Sequence, residues 1–180
     1  MPRLASGFFA AVLVAATAPG AWAQESKSAP LAKQLVAALE AGKLDSIAAK
    51  DPTAPDVFFA ALYIQGSELL VVSAKYTAPQ LLTDRLGRKE YRDTYIDLNS
   101  ASVLASKVLI QDSLGDGLKP KAGDNQPFDI YEDAGKRTMF DGNWKNQKMS
   151  EQDYMKTFSA ADDRYTQILT ALLAQVKKTS

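Results

Sequence analysis

Seven side chains near the C-terminus, Tyr154, Phe158, Ala161, Tyr165, Ile168, Leu172 and Val176, recur at steps of four or three. This spacing keeps them on one side of an α-helix for about six turns. A helix striped in this way needs a second layer to cover the stripe. Ser150-Glu151-Gln152-Asp153 gives it a Ser-x-x-Asp start, and Lys177 and Lys178 sit where the helix dipole favours positive charge.

The covering layer reads as strands. Val57–Ile64 (VFFAALYI) and Glu68–Tyr76 (ELLVVSAKY) flank the turn Gln65-Gly66-Ser67, which predicts a β-hairpin. Their near-continuous apolarity predicts cover on both faces. Tyr91–Leu98 alternates, with Tyr91, Asp93, Tyr95 and Asp97 on one face and Arg92, Thr94, Ile96 and Leu98 on the other. Ser106–Leu114 is a further strand. A second hairpin joins Phe128–Glu132 to Arg137–Phe140 around Asp133-Ala134-Gly135. Between them, Gly115–Gln126 reads as a loop.

Two more helical pieces come from local signals. Leu31, Leu35, Val36 and Leu39 predict an N-terminal helix with Ser28 as N-cap, Pro30 in the first turn and Gly42 as the stop. Thr77-Ala78-Pro79-Gln80 predicts a short helix start, and Leu44–Ala49 a short helical piece. The fold class is α+β. It is a single domain with a mostly antiparallel sheet or small split barrel, packed by the long C-terminal helix and the N-terminal helix. The expected core is Phe58, Ala60, Leu62, Leu70, Val72, Ile96, Val108, Ile110, Phe158, Tyr165, Ile168 and Leu172.

Residues 1–23 read as a secretory signal peptide. Arg3 opens it, Phe8–Ala18 is apolar, Pro19-Gly20 breaks the helix, and Ala21-Trp22-Ala23 places small residues before a cut at Gln24. The apolar core is shorter than the ~20 residues a membrane span needs. Residues 24–180 form the domain, and the expected location is exported, periplasmic or secreted. No stable membrane span remains after cleavage. Loss of Arg3 changes the net charge from 0 to −1, so the balance gives no case for nucleic acid.

The chain has no His and no Cys. This closes Ser-His-Asp and thiol chemistry, disulfides, and zinc sites built on sulfur or imidazole. Three constellations remain. Asp93 and Asp97, with Tyr91 and Tyr95, could serve acid/base work or hold a ligand, or form a solvated strand face. Asp112, Asp116, Asp124 and Asn125 lie among glycines, but Leu114 occupies the third EF-hand position counted from Asp112. Arg85, Arg88, Lys89 and Arg92 could hold an anion or lie on water.

The order of elements from Phe58 to Gln111 resembles the split β-barrels of the pyridoxamine-phosphate-oxidase-like flavin-binding class. The FFAALYI–ELLVVSAKY hairpin, the helix at Pro79, YRDTYIDL and SKVLIQD carry the likeness. The resemblance implies a basic residue on or just after the second strand that binds a flavin phosphate, and Lys75 is so placed. It also allows a homodimer. The class is chiefly cytoplasmic, whereas this chain begins with an export signal.

The leading functional expectation is an exported non-catalytic domain that binds a small molecule or partner protein. The alternative is a flavin- or other cofactor-binding split-barrel protein, oxidoreductase-like in activity. A third reading is an enzyme using Asp93 and Asp97. The ligand-binding candidates are Lys75, Tyr91, Arg92, Asp93, Tyr95 and Asp97. No residue is assigned to a metal and none to catalysis. Neither the ligand nor the cofactor is identified by sequence.

Overall fold

A computed structural model describes residues 26–51, 54, 56–76, 103, 104 and 107–179. The expected signal segment 1–23, the expected strand Tyr91–Leu98, the expected helix at Pro79 and the expected core residue Ile96 lie outside the described residues.

Helix α1 spans Ala29–Gly42 with Pro30 in its first turn. Ala32, Leu35 and Leu39 fall at helical spacing and are fully buried. Ser28 occupies the N-cap position, but its hydroxyl does not cap the helix. That oxygen accepts a hydrogen bond from Leu118 N–H at 3.1 Å, tying α1 to a distant loop. Gly42 remains helical, and the turn-off comes one residue later. Lys43 adopts left-handed backbone (φ 53°), and its N–H caps the carbonyls of Leu39 and Glu40. A non-glycine residue there costs about 1–2 kcal/mol.

The expected helical piece at Leu44–Ala49 is strand β1, Ser46–Lys50. It pairs antiparallel with β2, Val57–Ile64, with Ile47 opposite Ala61 and Ala49 opposite Phe59. Alanines in this stretch carry neither period clearly. The open edge of β2 supplies a ladder partner, and pairing overrides local helix propensity.

β2 and β3 (Glu68–Tyr76) form the expected hairpin, in register from Ile64–Glu68 to Val57–Lys75. Gly66 (φ 73°) makes the three-residue turn. The far side of β3 receives β4 (Val103–Leu104) and β5 (Val108–Ser113). Lys75 faces Leu104 and Val72 faces Leu109, so the β4–β5 side carries extra residues. This break in the ladder is satisfied locally: Ser73 Oγ accepts from Val108 N–H at 3.0 Å. β6 (Asp129–Asp133) and β7 (Lys136–Phe140) complete the sheet as a hairpin. Its two-residue turn needs positive φ at both positions. Ala134 (φ 49°) and Gly135 (φ 81°) provide it.

The sheet is antiparallel throughout, in the order β1-β2-β3-β5-β6-β7 with β4 on β3. Its ends do not pair with each other, so the barrel option gives way to an open sheet. Ile47, Ala49, Phe59, Ala61, Leu69, Val71, Val108, Ile110 and Phe140 form one core face, packed with α1 and the C-terminal helix α2 (Glu151–Thr179). The opposite face carries a smaller buried group, Ala48, Phe58, Ala60 and Ala74, with Val72 partly buried against it. Adjacent Phe58 and Phe59 are both buried, so β2 is covered on its two faces as its apolarity predicts. Leu70 and Val72, expected in the core, are half-buried.

α2 starts on the capping arrangement read from its sequence. Ser150 Oγ accepts from Asp153 N–H at 3.0 Å and donates to Asp153 Oδ2 at 2.7 Å. All seven residues of the stripe are buried. Phe140 meets Tyr154 and Phe158 edge-on, a favourable aromatic geometry. Arg164 on α2 reaches Asp51 at 3.1 Å and lies over the Phe59 ring, fastening the helix to the end of β1.

Candidate functional site

Two polar constellations stand out, one buried and one open. The buried one organises the loop after β5. Asp112 follows Val108 and Ile110 on the core-facing side of β5 and is fully buried. One oxygen accepts from Asp116 N–H (3.1 Å); the other accepts from Gly117 N–H (2.9 Å) and the Tyr165 hydroxyl (2.9 Å). Asp129, at the start of β6, accepts from Ser113 N–H (2.8 Å) and Lys119 N–H (2.7 Å). The two carboxylates therefore grip both ends of one loop. Gly117 (φ 94°) lets the loop press on α1, since a Cβ there would lie 2.4 Å from Ala29 Cα.

Burial dominates the acidity of both groups. It pushes Asp112 up to about 6. Burial and the nearby Asp112 charge push Asp129 up to about 8. Burial also raises Tyr165 well above the usual phenol range. Asp116, half-exposed, pairs with Lys119 Nζ at 2.6 Å. Among the described residues no group of three or more His, Cys, Asp or Glu side chains could hold a metal ion. Of the acidic set read from the sequence, Asp112 and Asp116 meet in this cluster, while Asp124 and Asn125 are exposed. The cluster satisfies backbone N–H groups of a largely buried loop, a structural task.

The open constellation is a cleft of about 400 Å³ where α1 ends. Leu39 and Leu44 give it apolar surface, and Glu40, Lys43, Asp45, Tyr63 and Gln65 give it polar groups. The αL turn at Lys43 places the chain so that Glu40 from the helix faces Tyr63 near the end of β2. The Tyr63 hydroxyl donates to Glu40 Oε1 at 2.7 Å. That hydrogen bond, with partial burial, raises the phenol above its ordinary pKa, so the tyrosine keeps its proton at neutral pH. The volume lies at the lower end of the range of small-molecule sites. An aromatic ring, a fixed carboxylate, an ammonium and an amide beside apolar surface can hold and orient a small polar molecule.

Among the described residues the one sequence-derived candidate, Lys75, does not line this cleft. Lys75 lies near the C-terminal end of β3, with its ammonium 2.7 Å from Asp56 Oδ2 in an exposed ion pair. The lysine lowers the Asp56 pKa through that contact. Tyr91, Arg92, Asp93, Tyr95 and Asp97 lie outside the described residues. Glu40 and Tyr63 are 23 residues apart in sequence, and no spacing rule links them.

No family model, curated protein or solved structure matches the chain.

Proposed function

We propose that this chain is an exported, non-catalytic domain that binds a small molecule in the cleft at the end of α1. The observation that carries the reading is the Tyr63–Glu40 hydrogen bond in a cleft of ligand size that Leu39 and Leu44 also line. The N-terminal layout of Arg3, Phe8–Ala18 and Ala21-Trp22-Ala23 supports export. The non-catalytic character is supported by the absence of His and Cys from the sequence and by the engagement of Asp112 and Asp129 with backbone N–H groups. No helix among the described residues is long and apolar enough to cross a membrane.

The test is a fragment screen by ligand-observed NMR on the mature domain, starting at Gln24. Hits should compete with one another and vanish in Leu44→Arg, which fills the cleft. Hits that survive this substitution would move the site elsewhere.

A cofactor bound through Lys75 is the second reading, favoured by that residue's exposed position near the end of the second hairpin strand. A flavin phosphate would have to displace Asp56 from the ammonium. Absorbance near the flavin bands in purified protein, lost in Lys75→Gln, supports it. Colourless protein from its native compartment refutes it.

A further inference from the structure

The same cleft is electrostatically one-sided. The C-terminal end of a helix carries roughly half a negative charge, and the backbone cap at Lys43 offsets only part of it here. α1 has no basic residue in its last turn to offset this. Glu40 lies within that turn, so a carboxylate adds to the helix pole instead of opposing it. Among the described lining residues Asp45 contributes a second carboxylate, against the ammonium of Lys43.

Tyr63 sharpens the preference. Its hydroxyl is committed to Glu40, which fixes the carboxylate beside the phenol ring. The ring is half-buried and contributes to the cleft wall. An aromatic face next to a fixed carboxylate attracts positive charge, and the attraction grows when the ring is partly desolvated. Leu39 and Leu44 offer surface for alkyl groups. A carboxylate or phosphate ligand would face the helix pole and two like charges. A neutral polyol would find few donors, chiefly Lys43 and Gln65.

Resting on the small-molecule reading above, we infer that the cleft takes a small organic ammonium ion, a primary amine or a quaternary alkylammonium. The charge sits between the Tyr63 ring and Glu40, and the alkyl part lies on Leu39 and Leu44. Lys43 works against this ligand, which makes it a diagnostic position.

The experiment follows backbone amide shifts of the mature domain during titration with tetramethylammonium, n-propylammonium, acetate and glycerol. The cations should shift residues 39–45 and 63–65 saturably. Glu40→Gln and Tyr63→Leu should each weaken cation binding about two- to fivefold, the loss of an attraction at a partly exposed site. Tyr63→Phe, which keeps the ring and frees the carboxylate, should cost less than Tyr63→Leu. Lys43→Gln should tighten cation binding, because it removes the like charge from the lining. Glu40 and Lys43 are exposed, so their variants keep the fold. Saturable shifts at the same amides with acetate or glycerol, and none with the cations, overturn the ammonium inference while the small-molecule reading stands. Weaker cation binding in Lys43→Gln also overturns it. Absence of saturable shifts with every probe counts against both.

Discussion

Replacing Asp112 with Ala removes the acceptor shared by Asp116 N–H, Gly117 N–H and the Tyr165 hydroxyl. The Gly117 and Tyr165 bonds are buried, so water cannot take over as acceptor without the loop opening. Each stranded donor costs about 1–3 kcal/mol. Removing a desolvated carboxylate offsets part of this. The net destabilisation should be about 3–5 kcal/mol. Tyr165→Phe in the parent protein removes one hydrogen bond to a charged group and should cost about 1.5–3 kcal/mol. In the Asp112→Ala background the same change should cost nothing or stabilise, because the phenol there is itself stranded. Urea unfolding of the four proteins gives the coupling energy directly. A favourable coupling of about 2 kcal/mol is expected. If Tyr165→Phe has the same cost in both backgrounds, the buried bond does not hold the loop, and the structural role assigned to Asp112 is wrong.

Other parts of the fold give separate tests. In the folded protein Asp112 and Asp129 retain protons to about 6 and about 8, against a reference of 3.8, so they contribute most stability in acid and lose it as pH rises through those values. The thermal midpoint should therefore fall between pH ~4 and ~8, and the fall should flatten in Asp129→Asn; a midpoint rising over that window contradicts the raised pKa values. Gly117→Ala should cost about 3 kcal/mol or more by chemical denaturation, because it combines positive φ with a backbone collision, whereas Gly66→Ala, with open space around it, should cost only about 1 kcal/mol. Gln147 closes the β7 edge by accepting from Met139 N–H at 2.9 Å and donating to Met139 O at 2.6 Å. Gln147→Ala should increase concentration-dependent association in sedimentation velocity, since an uncovered edge strand is a pairing template.

The parts of the fold legible in sequence are those in which local pattern and tertiary packing agree. The α2 stripe is one: its seven residues fix the buried face and Ser150 marks the start, because both signals are periodic or adjacent. The β2–β3 hairpin is another, with Gly66 at the turn and strand bounds that match the apolar runs. β1 was hidden because Ala48 and Ala49 suit a helix as well as a strand, and the edge of β2 decides the matter. Ser28 has a capping residue's chemistry, yet its oxygen goes to Leu118, a partner no local rule supplies. The acidic loop was half legible. Asp112 stands out among glycines, but Asp129 joins it only through the β5–β6 register, which places Gln111 opposite Ile130. The cleft was not legible at all, since Glu40 and Tyr63 meet only after a left-handed turn at Lys43 reverses the chain.

Native mass spectrometry of the protein, purified without denaturation from its native source, tests the binding site most directly. The account predicts a low-mass ligand at one copy per chain, released as a cation on activation. The same preparation of the double variant Glu40→Gln/Tyr63→Leu should lack it. An adduct retained equally by parent and variant, or one released as an anion from the parent, would contradict an ammonium site at the end of α1.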